Sequence, residues 1–173
     1  AYAVEGPPGL AVMAAALGAF GSRPDVVVSG PNAGLNTGTS IIHSGTVGAA
    51  LTAHTFGSHG IAFSLAPGDR WYWETAAAIA PDVLAWVIGR PDLTILNVNV
   101  PALAPDRIRG ARWARIDEFG HFNMASQSGN GTLELGVRDR STGTDPDTDT
   151  ALCLDGYVTL TLLSPLEAQR GVR

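Results

Sequence analysis

The chain predicts an α/β fold: three layers around a mainly parallel sheet, with a smaller β-rich extension. Three observations carry this. Residues 25–28, 60–65 and 94–100 are short runs rich in Val, Ile and Leu, the pattern of strands buried on both faces of a parallel sheet. Helical patterns alternate with these runs, as a layered α/β domain requires. Beyond Arg112 the pattern changes to short β-rich segments separated by polar loops, which predicts a second, smaller region. The expected division is residues 1–111 as the α/β core and 112–173 as the extension.

In chain order, residues 1–4 read as a strand or its end. Pro7 and Pro8 can open a helix, because a first-turn proline gives up no needed hydrogen bond. Residues 11–20 are alanine-rich and apolar, a buried helix that Gly21 and Pro24 end. The strand at 25–28 is expected to have neighbours on both sides. Residues 30–38 hold three Gly, one Pro and two Asn, which is loop chemistry. From Ser40 the chain turns helical, and Ser44, Gly45, Gly48, Ala49 and Ala50 let that helix pack closely. Pro67-Gly68-Asp69 is a turn. Residues 71–88 predict a helix broken or kinked at Pro81, with Trp71, Trp73 and Trp86 as packing aromatics. Pro101 stops the strand at 94–100. Residues 112–116, 133–137 and 157–163 predict strands, with 117–132 and 139–150 as loops or hairpin tips.

Composition narrows the function classes. With 173 residues, 45% hydrophobic and 16% charged, the chain is long enough for a sizeable core and is globular. Its net charge of −5 argues against a nucleic-acid groove, which should be basic. A small phosphate ester remains compatible, because a cation can neutralise it locally. No apolar run approaches the ~20 residues that span a bilayer. Cys153 stands alone, which points to a reducing, cytoplasmic compartment; secretion stays open for a chain whose natural start is not in view.

Ser29-Gly30-Pro31-Asn32-Ala33-Gly34-Leu35-Asn36, then Ser44-Gly45-Thr46-Val47-Gly48-Ala49-Ala50, then Ile61-Ala62-Phe63-Ser64 resemble the core signature of the SurE family. Leu96-Asn97-Val98-Asn99-Val100-Pro101, Thr148-Asp149 and Gly156-Tyr157-Val158 extend the likeness over roughly residues 6–163. The resemblance implies a Rossmann-like, SurE-like domain and a metal-dependent 5'/3'-nucleotidase, or SurE-type acid phosphatase, using Mg²⁺ or Mn²⁺. It also implies a hairpin that reaches toward a partner subunit, hence a homodimer or homotetramer. One departure is large. The family opens with a strand ending in Asn-Asp-Asp-Gly, whose aspartates hold the metal, and this chain contains no Asp-Asp pair. Its start resembles a point well inside the family's domain, so the chain is expected to be a C-terminal portion, inactive alone.

Asn32 is the leading candidate for chemistry. An amide oxygen is a hard neutral ligand suited to Mg²⁺ or Mn²⁺, although Asn in such a loop also serves to stabilise turns. In the resembled family this Asn completes the metal site. Ser44, Gly45 and Thr46 form the phosphate candidate: free N–H groups early in a helix attract an anion, Gly45 allows close approach, and both hydroxyls can donate. Plain N-capping is the alternative. Gly34 and Asn36 shape the loop, and His43 could bond phosphate or a leaving oxygen. His54, His59 and His121 show no partner, and no Cys/His cluster suggests zinc. Asp145-Pro-Asp147-Thr-Asp149 resembles the opening of a calcium loop but has Thr150 in place of its Gly and Gly156 in place of its Glu, so a solvated loop is expected.

The function expected of the complete protein is therefore phosphomonoester hydrolysis of a small-molecule nucleotide. The alternative is a catalytically inactive remnant that binds phosphate or serves as an assembly module.

Overall fold

A computed structural model describes the backbone of residues 1–118, 122–129, 132–139 and 145–165, and the side chains of 1–118 and 145–165. Five strands form one sheet in the order β1 (Val26–Ala33), β2 (His59–Leu65), β3 (Ile95–Val100), β7 (Val158–Leu163), β4 (Ala111–Trp113). β1, β2 and β3 are mutually parallel, while β7 runs antiparallel to β3 and parallel to β4. The remaining strands, β5 (Phe122–Gly129) and β6 (Thr132–Asp139), pair as an antiparallel hairpin of their own.

Strand parity sorts the core into two layers. Ile61, Phe63 and Leu65 of β2, with Leu96, Val98 and Val100 of β3, pack on Ala76, Val83 and Val87 of α3 (Trp73–Ile88). The alternate positions Ala62 and Ile95 pack on Val47 and Ala50 of α2 (Gly45–Thr55). Helix α1 (Pro8–Ala16) completes that second layer through Val12 against Ala49, Ala53 and Val27. The small side chains of α2 have a concrete purpose. Gly60, the second residue of β2, lies so close beneath α2 that a Cβ there would collide with Ala50 O.

Several expectations are corrected. Residues 1–4 form no strand, and α1 begins at Pro8 and stops at Ala16, short of Phe20. β1 does not stop at Val28 but runs on to Ala33. Nor is it buried on both faces: β2 is its one partner among the described residues, and Val28 is 48% exposed. Helix α3 is not broken at Pro81 but runs as one helix from Trp73 to Ile88, although its ladder lacks one donor there. The tryptophans lie at the surface rather than in the core: Trp71 stacks on Trp73 at 5.5 Å and Trp86 meets Trp113 at 5.1 Å. β4 and β7 belong to the main sheet, with β7 inserted beside β3. A strand, β5, stands where a loop was expected, and α4 (Asp149–Leu154) follows directly on Thr148.

Candidate functional site

The site is built at the carboxyl ends of the parallel strands, and a bulge in β1 sets its geometry. Ser29 pairs with Ala62, yet Asn32 pairs with Ser64, so Gly30 and Pro31 together oppose Phe63. One extra residue restores parity: without it Ser29 and Asn32 would face opposite sides, and with it they share the α2 side. Gly30 makes the bulge feasible, with φ +105° and Phe63 O where a Cβ would sit. The result is a polar row across four strands, Asn32–Ser64–Asn99–Thr159, read directly from the register. Asn32 is thus a strand residue rather than a loop residue. Its Nδ2 donates to Gly34 O at 2.8 Å, which is the turn-stabilising bond its residue type allows.

The loop after β1 is held from below. Asn36 is 9% exposed. Its N–H donates to Asn99 Oδ1 at 2.9 Å, and its carbonyl accepts from Asn97 Nδ2 at 2.8 Å and Asn99 Nδ2 at 2.9 Å. Its own Nδ2 donates to Ser64 Oγ at 2.6 Å. Gly34 N–H donates to Leu65 O at 2.9 Å. Asn36 and Gly34 therefore fix the loop's shape. Asn97, Asn99 and Ser64 were not singled out as site residues in the sequence, although Asn at alternate positions of an otherwise apolar strand is a legible sign of a buried polar face.

Asp149 is a further residue the sequence reading missed. It is fully buried, not in a solvated loop. Its carboxylate accepts the N–H groups of Gly38 (3.0 Å), Asp117 (3.0 Å) and Thr150 (2.9 Å). Burial pushes its carboxyl above the ordinary range; the three N–H donors oppose that shift, and the neighbouring Asp117 adds to it. Among the described residues the carboxylate has no cationic partner.

A 3₁₀ turn (Thr39–His43) carries the chain to α2. Ser44 is the N-cap, its Oγ accepting Val47 N–H at 3.2 Å, and the helical ladder begins with Gly48 N–H to Ser44 O. The N–H groups of Gly45 and Thr46 precede that ladder. Gly45 and His43 are exposed, and Ser44 and Thr46 half-buried. A Cβ on Gly45 would come within 3.2 Å of Pro8 Cδ, so this glycine also seats the start of α1. His59 does have a partner, its Nδ1 accepting Thr94 N–H at 3.1 Å, whereas His121 lies outside the described residues.

As a metal site the arrangement is short of ligands. Among the described residues no three His, Cys, Asp or Glu converge. Asn32 offers one neutral oxygen, and Mg²⁺ parts with its water reluctantly. The described residues do not make a complete divalent-cation site.

The family described as Survival protein SurE matches residues 1–121. The chain belongs to the SurE family. It is 40% identical over 150 residues to the 5'/3'-nucleotidase SurE of Escherichia fergusonii, covering 82% of this chain and 57% of that one. To the 5'-nucleotidase SurE of Methylococcus capsulatus it is 42% identical over 115 residues, 65% of this chain and 46% of the relative. The crystal structure of SurE protein from Aquifex aeolicus superposes with a TM-score of 0.78 at 28% identity, over 92% of this chain and 67% of that chain. The chain thus spans about half the length of the curated relatives it matches, and the α/β fold is that of the family. No helix among the described residues is long and apolar enough to cross a membrane.

Proposed function

We propose that the complete protein is a phosphomonoester hydrolase acting on nucleoside 5'- or 3'-monophosphates, and that residues 1–173 carry its phosphate-binding half. One observation carries the reading: Ser44, Gly45 and Thr46 cap and open the eleven-residue α2 after the loop and 3₁₀ turn that follow the carboxyl end of β1, where open α/β sheets bind ligands. The relatives' names, 5'/3'-nucleotidase SurE, support a nucleotide as the substrate class. In this reading the N–H groups of Gly45 and Thr46 and the hydroxyls of Ser44 and Thr46 hold phosphate oxygens. Gly34 and Asn36 keep the loop in place, and His43 stands at the rim. Asn32 contributes its amide oxygen toward Mg²⁺ or Mn²⁺, whose remaining ligands are not among the described residues. A homodimer or homotetramer joined through the β5–β6 hairpin belongs to the same proposal, as does a cytoplasmic location.

A second reading, a catalytically inactive module that binds phosphate or supports assembly, is favoured by the lack of any carboxylate cluster among the described residues. The intact mass and turnover of the natural protein separate the two. A mass well above 17.9 kDa, with phosphate release from AMP that requires Mn²⁺ or Mg²⁺ and stops on chelation, supports the hydrolase. A mass at that value with no release supports the module. Release that survives full chelation removes the cation from the account.

A further inference from the structure

The buried acid Asp149 is unused by the phosphate site, yet it sits between two segments that are distant in sequence. On one side is Gly38, the last residue of the loop that Asn36 anchors, whose N–H reaches both carboxylate oxygens at 3.2 and 3.0 Å. On the other is Asp117, whose N–H reaches Oδ1 at 3.0 Å. The two segments also meet directly. Thr39 N–H donates to Asp117 O at 3.1 Å, and Thr39 Oγ1 donates to Glu118 O at 2.6 Å. Asp149 is itself held from behind, its N–H donating to Arg115 O at 2.8 Å. The next residue, Thr150, is fully buried and its hydroxyl has no hydrogen-bond partner among the described residues. α4 is therefore tied to the Arg115–Glu118 stretch and to the Gly38 turn through one carboxylate.

We propose that Asp149 is a positioning residue. It fastens the Gly38–Thr39 turn, and with it the start of α2, to the segment that leads toward the β5–β6 hairpin. The phosphate-binding geometry of Ser44–Thr46 then depends on that segment being seated. A carboxylate suits this position because it accepts several N–H groups at once, and charge-assisted bonds of this kind are roughly twice as strong as neutral ones. The link is a chain of discrete hydrogen bonds, so a partner that grips the hairpin base has a physical route to the phosphate loop. The functional half of the inference rests on the phosphate reading of α2, whereas the clamp does not.

Amide hydrogen exchange on the 173-residue chain tests the clamp. In Asp149→Ala the Gly38 and Asp117 amides should exchange roughly tenfold faster or more, while Ile95–Val100 keeps its protection. Asp149→Asn should release Gly38 preferentially: its oxygen still serves Asp117 and Thr150, but its NH₂ faces the Gly38 N–H. Unchanged exchange at Gly38 and Asp117 in Asp149→Ala overturns the proposal. Should that variant not fold, the unmodified chain decides: the two amides should report one shared opening, and independent opening overturns the clamp. Titration with AMP then reads the functional half. Affinity should drop roughly tenfold in Asp149→Ala and less in Asp149→Asn; equal affinity overturns positioning. An unmodified chain that does not bind AMP refutes the phosphate reading and the positioning role that rests on it, leaving the clamp to the exchange data.

Discussion

Asn99 and the backbone of Asn36 form a reciprocal pair: Oδ1 of Asn99 accepts the Asn36 N–H, and Nδ2 of Asn99 donates to the Asn36 carbonyl, each at 2.9 Å. One side chain of β3 thus satisfies both backbone groups of a loop residue 63 positions away. In a buried setting this closes the polar accounting of the loop, because neither group has water to turn to. It also explains why an amide, and not an acid or an alcohol, occupies position 99: only an amide both donates and accepts across this spacing.

Asn99→Ala should therefore destabilise the chain by about 1–3 kcal/mol, the cost of leaving buried polar groups unpaired. Asn99→Asp keeps the acceptor and removes the donor, so the Asn36 carbonyl loses that bond and faces a negative oxygen. Chemical denaturation should rank the three proteins with the unmodified chain most stable. Variants as stable as the unmodified chain would show that the loop is not held from β3.

Gly60→Ala should be at least as damaging, because its methyl group meets Ala50 O, a backbone atom that cannot swing aside. Forced overpacking of this kind costs roughly 1–3 kcal/mol. The measurement is the denaturant midpoint, with far-ultraviolet circular dichroism to confirm the fold. A stability change below a few tenths of a kcal/mol would mean that α2 and β2 are not in contact there.

Stability should fall as pH rises through the raised pKa of Asp149. Burial lifts this carboxyl above its ordinary value, so between the two pKa values the folded chain holds a proton that the unfolded chain has released. The stabilisation is fully present below the unfolded value and is lost as pH rises through the folded one. Asp149→Asn removes this contribution, so denaturation profiles over the acidic and neutral range should be flatter in the variant. Parallel profiles would show that Asp149 does not titrate differently on folding.

The open edge of β1 is an association liability. Its outer side has no strand partner among the described residues, Val28 is exposed, and an apolar groove of about 490 Å³ lined by Tyr2, Phe20 and Val27 runs beside it. Unpaired apolar edges template pairing with other chains. Val28→Lys should shift the 173-residue chain toward smaller species in size-exclusion chromatography and leave its denaturation midpoint within about 0.5 kcal/mol. An unchanged elution profile would place self-association elsewhere.

Much of this architecture is legible in the residues. The apolar runs of β2 and β3 and the small residues of α2 read correctly because each reflects local chemistry, whereas the first part of the glycine-rich stretch, read as loop, is the end of β1. What escaped reading depends on pairing at long range. The bulge at Gly30-Pro31 is set by the register with Phe63, and a glycine followed by proline reads more readily as a loop. Asp149 lies in a run of Asp, Pro and Thr that reads as solvated, and only the arrival of Gly38 and Asp117 from elsewhere makes it a buried acceptor. The place of β7 between β3 and β4 follows from a crossing of the sheet that no short pattern encodes.

The central claim is that the first turn of α2 receives a phosphate group, and residue-resolved NMR titration of the 173-residue chain tests it most directly. AMP and inorganic phosphate should both shift the amide signals of Gly45 and Thr46, with saturation, and adenosine should not. The smaller response at Asn36 should follow the same curve, because the loop moves with the helix start. Amides of Gly45 and Thr46 that stay silent toward AMP and phosphate at millimolar concentration, or that respond equally to adenosine, would contradict the account.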